Sequence, residues 1–411
     1  MRYMSWLLTF ILINSACSCE AASPSNPNTP TELSLTKVNK AISAAKAGDT
    51  VTLAAGSATW DGYITVTKGI SIIGAGIGKT IITAGSDHVF KFTPDAETRT
   101  NQNEFRISGF TFNGAPSSVI ELAESNSEKI PLRNIRIDHN RWENTLGSPI
   151  YVDGNFWGVI DNNEFVGSNF FMILGNQQTS WEQFYPATYG TADNLYFEDN
   201  TFSSPAGQLN FAIESGQGGR WAFRHNTVNT PVMENPMLDQ HGFQSYSTGV
   251  YGLMLCEIYE NVFLGYTTGV ARWDYQRGGK LLMYNNTGTS TTGRPNITVN
   301  DARSEPTIEN FIQTPYDCYF FNNTWNSQRI NATEGVDTHG TIQENVTFWN
   351  QQDSFKGSVG IGVGPFSSRP VTCSRGVAYW ATDTHTLYKA SAPNTWTVYY
   401  QPYTYPHPLR R

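Results

Sequence analysis

The chain has 411 residues, 39% hydrophobic and 13% aromatic, enough length and apolar content for a sizeable core, so disorder is excluded. Only 15% are charged, against roughly 25% in an average soluble domain; 35 Asn and 44 Thr stand in their place, which excludes coiled coils and long helical bundles. The net charge of −8 argues against non-specific nucleic-acid binding, yet leaves an acidic ligand open, because a cleft can be locally basic on an acidic protein.

The chain begins with an address. Arg2 precedes an apolar run from Trp6 to Ile13, followed by small residues up to Ser23. That order is a signal peptide over 1–22, too short to span a bilayer in the mature protein. Lipid attachment at Cys17 or Cys19 is the rival reading, but neither has a Leu three residues before it. The expected product is secreted or periplasmic, with no membrane attachment after signal removal. It retains Cys256, Cys318 and Cys373, an odd number that allows at most one internal bridge.

Residues 34–46 (SLTKVNKAISAAK) place Val38, Ala41, Ile42 and Ala45 on one helical face, and Gly48-Asp49 ends the helix before VTL at 51–53. GAGIGKT at 74–80 imitates a phosphate-binding loop, but Ile73 stands where that motif needs Gly. Tight coil corners account for these glycines.

From residue 105 onward one pattern recurs: apolar, x, apolar, x, x, Asn, x, aromatic. It reads IRIDHNRW at 135–142, VIDNNEF at 159–165, LYFEDNTF at 195–202 and WAFRHNTV at 221–228, then CEIYENVF at 256–263, LLMYNNTG at 281–288 and CYFFNNTW at 318–325. FRISGFTF at 105–112 is an earlier copy with Phe110 at the Asn position. The intervals between these positions are 30, 23, 37, 26, 35, 25 and 37 residues, the mark of a solenoid with loops of unequal length. Within each copy the alternation of two predicts two short strands around a tight turn. Asn suits such a turn because it tolerates the left-handed conformation, and its amide can pair with neighbouring backbone and with the next Asn. In that register Cys256 and Cys318 lie two rungs apart with Leu281 between, at about 4.8 Å per rung, too far for a disulfide. Asn285 and Asn322 begin glycosylation-like triplets but belong to these turns, as do His139 and His225.

The repeats resemble those of right-handed parallel β-helix proteins of the pectate-lyase-like type, with their internal Asn ladder, over residues 35–350. The expected architecture is all-β: a solenoid over 23–356 with a helix capping its N-terminal end, and a small C-terminal β cap over 357–411. That cap is read as strands VAYWAT (377–382), LYKA (387–390) and TWTVYY (395–400), followed by the Pro-stiffened QPYTYPHPL (401–409). This tail resembles the endings of secreted bacterial β-helix proteins of unassigned function.

A parallel β-helix presents a shallow groove along one sheet, suited to an extended polysaccharide and built from outward side chains of successive rungs. The candidate strands are IYVDGN (150–155), FMILGN (171–176), NFAIESG (210–216), MLDQHGF (237–243) and VARWDYQR (270–277). With Val152 and Ile213 inward, Tyr151, Asp153, Ala212 and Glu214 face the groove. Asp239 shares a face with His241, and Arg272 with Asp274, the latter face being open to either side. The resemblance implies cleavage of a uronic-acid polymer by β-elimination. Such a lyase must neutralise a carboxylate, remove the neighbouring proton and protonate the leaving oxygen. Arg272 or Arg277 would neutralise, His241 would serve as base and Tyr151 as acid. Ca²⁺ on Asp153, Glu214 or Asp239 is the cofactor contemplated.

A glycoside hydrolase using two of Asp153, Glu214, Asp239 and Asp274 is the alternative enzyme. A non-catalytic glycan-binding solenoid is the alternative without chemistry, in which the outward Asp and Arg residues form a salt-bridged face. The catalytic set is therefore Glu214, Asp239, His241, Arg272 and Asp274, with Tyr151, Asp153, Trp273 and Arg277 on the substrate. Trp157 and Trp181 are further candidates for stacking on sugar, whereas Trp221 begins a repeat strand and reads as packing. Gln240-His241-Gly242 resembles the Gly-His-Gly of polygalacturonases, whose paired Asp motif is absent. Asp138-His139 resembles part of the pectate-lyase Trp-Ile-Asp-His motif, whose companion Arg-x-x-Pro-x-x-Arg is absent. A monomer is expected.

Overall fold

The structure, a computed structural model, describes residues 29–30, 32–114, 117–124, 129–167, 171–204, 213–229, 237–243, 250–266, 272–291, 294–301 and 305–411. The expected signal peptide, Cys17 and Cys19 lie outside them. In the first turn the chain runs through strands Thr50–Thr52, Gly56–Trp60 and Ile64–Val66. It then returns to lay Ser71–Ile73 parallel on the first, with Ser71 beside Thr50. Repetition of this course builds three parallel sheets of 11, 11 and 10 strands, an all-β parallel β-helix. In the second sheet the last strand, Gln328–Arg329, turns back antiparallel.

The helix Leu35–Ala44 covers the open end with Val38, Ala41 and Ile42. Trp60 Nε1 donates to Leu33 O (2.8 Å), and the Lys68 ammonium donates to Ser43 O (3.0 Å) and Ala45 O. The Lys68 bonds satisfy carbonyls at the negative, C-terminal end of the helix dipole, and the Trp60 bond ties down the chain just before the helix begins. Without this cover the first rung would present an apolar end and unpaired edge groups.

Inside the solenoid, one residue per rung of the second sheet stacks: Trp142 on Phe165 (centroids 4.6 Å), Phe165 on Phe202 (4.9 Å). The expected Asn ladder runs beside them. Asn163 Oδ1 accepts from Asn140 N (2.9 Å) and Nδ2 (3.2 Å), and the same pair of bonds joins Asn163 to Asn200, then to Asn226, Asn261, Asn286 and Asn323. Each Nδ2 also reaches a carbonyl of the preceding rung, as Asn226 does to Phe197 O (2.9 Å). Phe110 N begins the column by donating to Asn140 Oδ1 (3.0 Å). A carboxylate could accept but not donate here.

One detail of the turn differs from expectation. The left-handed residue is the one before each ladder Asn: His139, Asn162, Asp199, His225, Glu260, Asn285 and Asn322 have φ between 52° and 57°. The ladder Asn is selected by its amide, and the strained position tolerates several side chains that point to solvent. Cys256, Cys318 and Cys373 are free and buried, with Leu281 beside Cys256 in register.

The C-terminal module forms a four-stranded sheet from Ile361–Gly364, Ala378–Ala381, Thr386–Ala392 and Thr395–Tyr400. Its first strand continues the solenoid through a parallel bridge from Gln351 to Ile361. Trp380 and Tyr400 pack on Tyr284, so the module lies against the outer face of the first sheet as well as the end of the coil. The tail then runs back along that face. Tyr403 stacks on Tyr196 (5.2 Å), Leu409 O accepts from Arg136 (2.9 Å), and the Arg410 guanidinium reaches Glu198, Asp199 and Asp161.

Candidate active site

The five candidate strands are consecutive members of the third sheet: Ser148–Asp153, Phe171–Leu174, Ile213–Gly216, Leu238–Gln240 and Arg272–Gln276. Register aligns Tyr151, Met172, Glu214, Asp239 and Tyr275 in one outward column, and Lys91 and Glu121 precede them. A second outward column, two residues further along each strand, carries Asp153 and Leu174 and continues through His241 and Arg277. Their backbone N–H groups donate to Ser215 O (2.8 Å) and Gln240 O (2.9 Å).

Where the columns meet, four of the expected residues converge. His241 Nε2 lies 2.9 Å from Glu214 Oε1 and 3.5 Å from Asp239 Oδ2. Arg277 donates to Asp239 Oδ1 through Nε (3.0 Å) and Nη2 (2.6 Å), and its Nη2 is 2.7 Å from His241 Nε2. The imidazole nitrogen can donate to Glu214 or accept from Arg277, not both. Burial opposes a charge on His241, but hydrogen bonds to Asp239 and Glu214 outweigh it and raise its pKa above the ordinary 6.5. The protonated ring donating to Glu214 is therefore the favoured form, with Arg277 satisfied on Asp239. Burial would likewise raise Asp239, yet the His241 hydrogen bond and the Arg277 charge hold it below the usual carboxylate range.

Backbone packing fixes His241. Leu253 N donates to His241 O (2.7 Å), and a Cβ on Gly278 would meet that same oxygen at 2.7 Å and Gly242 Cα at 2.6 Å. Any larger residue at 278 displaces the strand end that aims the ring.

Arg272 and Tyr275 complete the group. The Tyr275 ring lies between two guanidinium groups, Arg272 at 5.2 Å and Arg277 at 5.0 Å from its centroid. Tyr275 was not anticipated from the sequence. A bulge between Arg272 and Asp274 shifts the alternation, so that Asp274 joins Leu238 and Ile297 in the inward stack and Tyr275 turns outward beside Asp239.

Two expected residues are missing from this outward face: Asp274, turned inward by the bulge, and Trp273, which points inward beside it. Asp274 is fully buried in the solenoid interior, and neither carboxyl oxygen has a hydrogen-bond partner of good geometry among the described residues. Burial and the nearby Asp239 charge, opposed by the adjacent Gln240 amide, push its pKa well above normal and favour its neutral form. Trp273 is 2% exposed and stacks on Phe263 (4.5 Å). It fills the space left by Gly288, where a Cβ would meet its Cζ2 at 2.5 Å. Trp157 and Trp181, also expected to stack on sugar, are buried. None of the three offers a ring face to a groove.

Tyr151 and Asp153 do face outward, but two rungs from Glu214, about 10 Å away. They group instead with Glu121, which pairs with His88 (2.9 Å) and Lys91 (3.0 Å). Burial and neighbouring carboxylates raise the pKa of both Tyr151 and Asp153. Tyr151 is thus too far from His241 to share a single bond-breaking event with it. The same separation bears on Ca²⁺, which takes about six to eight oxygens. Asp153 stands apart, Glu214 is turned to His241 and Asp239 to Arg277, so this donor set does not fit that ion.

No protein-family model matches the chain, and a search of curated proteins finds no match either. Among the described residues no helix is long and apolar enough to cross a membrane.

Proposed function

We propose that the protein is an exported polysaccharide lyase of the pectate-lyase-like type, cleaving a uronic-acid-containing glycan by β-elimination on the outer face of the third sheet. The observation that carries this reading is the convergence, on adjacent outward rungs, of His241 set against Glu214 and Asp239 with the Tyr275 phenol and the Arg272 and Arg277 guanidiniums over its ring. Arg272 is the group to pair with the uronate carboxylate, which makes the proton on the adjacent carbon more acidic. Tyr275, with the Arg272 and Arg277 guanidiniums over its ring, is the base: its hydroxyl proton passes to solvent as its oxygen takes the proton from carbon. The C–H electron pair forms the new C=C bond, the bond to the glycosidic oxygen breaks, and that oxygen receives the proton of His241. Proton exchange with water then resets both residues. Glu214 and Asp239 hold the imidazole charged and oriented.

This assignment exchanges the base expected at His241 for an acid, because a ring with a raised pKa is poorly suited to accept a proton at neutral pH. A hydrolase needs one carboxylic acid kept protonated in the groove. Asp239 is held ionised, Asp274 lies inside, and Asp153, though its pKa is raised, stands two rungs from Glu214 and apart from the His241 cluster, so elimination is preferred there.

The test is a panel of acidic and neutral polysaccharides, read by ultraviolet absorbance of an unsaturated uronate and by reducing ends. Both signals together support the lyase. Reducing ends alone would establish hydrolysis, and binding without product would establish a glycan-binding solenoid. Tyr275→Phe should lower the elimination rate at least about a hundredfold without affecting folding.

A further inference from the structure

On the opposite flank, away from the third sheet, the tail and the C-terminal module enclose a cavity of about 630 Å³ against the first sheet. That volume falls in the usual range of about 300–1,000 Å³ for small-molecule sites. Its floor is the stacked pair Tyr259 and Tyr284 (4.8 Å). One wall is the row of turn residues Glu260, Asn285 and Asn322; the other is Thr382, Thr384 and Gln401.

The chemistry of the lining selects the ligand. Among the described residues one side-chain bond runs within the turn row, from Asn322 Nδ2 to Asn285 Oδ1 (3.1 Å). That leaves Asn285 Nδ2 as a donor and Asn322 Oδ1 as an acceptor, neither with a protein partner among the described residues. The hydroxyls of Thr382 and Thr384 and the Gln401 carbonyl oxygen are equally unused. Glu260 engages His225 (3.1 Å) through one oxygen and keeps the other. Donors and acceptors are therefore interspersed, as a polyol requires.

No guanidinium is on offer, and of the two histidines in the lining, His225 and His385, the first is held on Glu260 with its pKa lowered chiefly by burial. Arg224 lines the cavity, but its N–H groups are all engaged, by Glu198, Tyr259 Oη (2.7 Å), Tyr403 O (2.6 Å) and Thr404 O (2.7 Å). A phosphate or uronate would meet Glu260 without a free guanidinium to offset it. An apolar ligand would strand the polar atoms. We propose that this cavity binds a neutral glycan, through its hydroxyls, at a site separate from the groove on the third sheet. The site is preformed, because the same Arg224 bonds that remove the cation stitch the tail in place. It would hold the protein on a neutral polymer while the groove works on an acidic one, and it stands whether or not the groove is catalytic.

Isothermal titration of the full chain with cello-, xylo-, manno- and maltotetraose tests it. At least one should bind saturably. Thr384→Trp, which places an indole in the cavity from an exposed turn, should weaken that binding at least about tenfold, and Gln401→Ala should weaken it less. Arg277→Ala, in the groove, should leave it unchanged. The proposal is overturned if none of the four binds at millimolar concentration, if Thr384→Trp has no effect, or if Arg277→Ala abolishes binding and so places the sugar in the groove. Unsaturated-uronate release should be the same in Thr384→Trp and the parent, which separates failure of this site from failure of the lyase reading.

Discussion

The outer faces of the first and third sheets are built from the same parallel rungs, and both carry a row of charges. On the first sheet Asp161, Glu198 and Arg224 are completely buried where residues 403–410 lie across them, and Asp138 is buried beside them against Arg106 and Arg136. Glu198 joins Arg224 to Arg410 and accepts from His407 N (3.0 Å). On the third sheet Glu214, His241 and Arg277 keep 21%, 14% and 16% of their side-chain surface. The two faces use similar residues for different ends. A charge covered by chain is committed to holding that chain, and its loss is felt as stability. A charge with access to solvent remains available to a ligand, and its loss is felt as turnover.

The sharpest way to break that contrast is a matched pair of substitutions. Glu198→Ala leaves Arg224 without its buried carboxylate and Arg410 with only Asp161 and Asp199, and should cost about 3–5 kcal/mol in urea unfolding. Asp239→Asn should cost about 1 kcal/mol, since Arg277 can reach water, while lowering elimination at least about a hundredfold. Equal stability losses would show that the third-sheet cluster is another structural clamp.

Acid separates the faces next. His407, on the inner side of the tail, has its pKa lowered to about 4, chiefly by burial, with Arg224, Arg410 and Arg136 adding to the effect and Glu198 opposing it. Between about pH 6.5 and 4 the unfolded chain binds the proton that the folded one refuses. Stability should therefore be complete above pH 6.5 and fall by up to about 3 kcal/mol as pH drops to 4. Urea midpoints across that range should flatten in His407→Gln. On the third sheet the sign is reversed for activity. His241 has a raised pKa and must be protonated to donate, so its contribution to the rate is present at low pH and lost as pH rises through a value above 6.5. A rate that climbs through that point, with the climb abolished in His241→Gln, would make His241 the base instead of Tyr275.

How far the sequence reaches follows from what repeats. The ladder positions from Asn140 to Asn323 and the inward partners such as Trp142 and Phe165 obey a local rule, so their strands and register are legible residue by residue. Glu214, Asp239 and His241 follow from the same alternation. The bulge at Arg272–Asp274 is not local in this sense, since a single extra residue exchanges the two faces. Its trace was present: aligning LDQ at 238–240 with DYQ at 274–276 places Tyr275 beside Asp239 without any structure. The tail left no such trace. Arg136 meets Leu409 across 273 positions, and nothing in QPYTYPHPL states which of the three faces it will cover. The αL turn residue was misplaced by one position because Asn fits both roles, and the neighbours His139, Asp199 and Glu260 decide between them.

The smallest effect tests the bulge. Asp274 occupies a place in the inward stack where Ile213, Leu238 and Ile297 stand on the neighbouring rungs, and its carboxyl lacks good hydrogen bonds there. A polar group in that position costs free energy even when neutral. Asp274→Leu should therefore stabilise the fold by about 1–2 kcal/mol, read as a higher urea midpoint with an unchanged slope. It should also leave the elimination rate within about twofold of the parent, because Tyr275 and Asp239 are set by backbone pairing rather than by the inward side chain. A stabilised but inactive variant would mean that the buried acid tunes Asp239 through the sheet. In that event the division between charges that hold the chain and charges that act on a ligand fails at the one residue lying directly beneath the site.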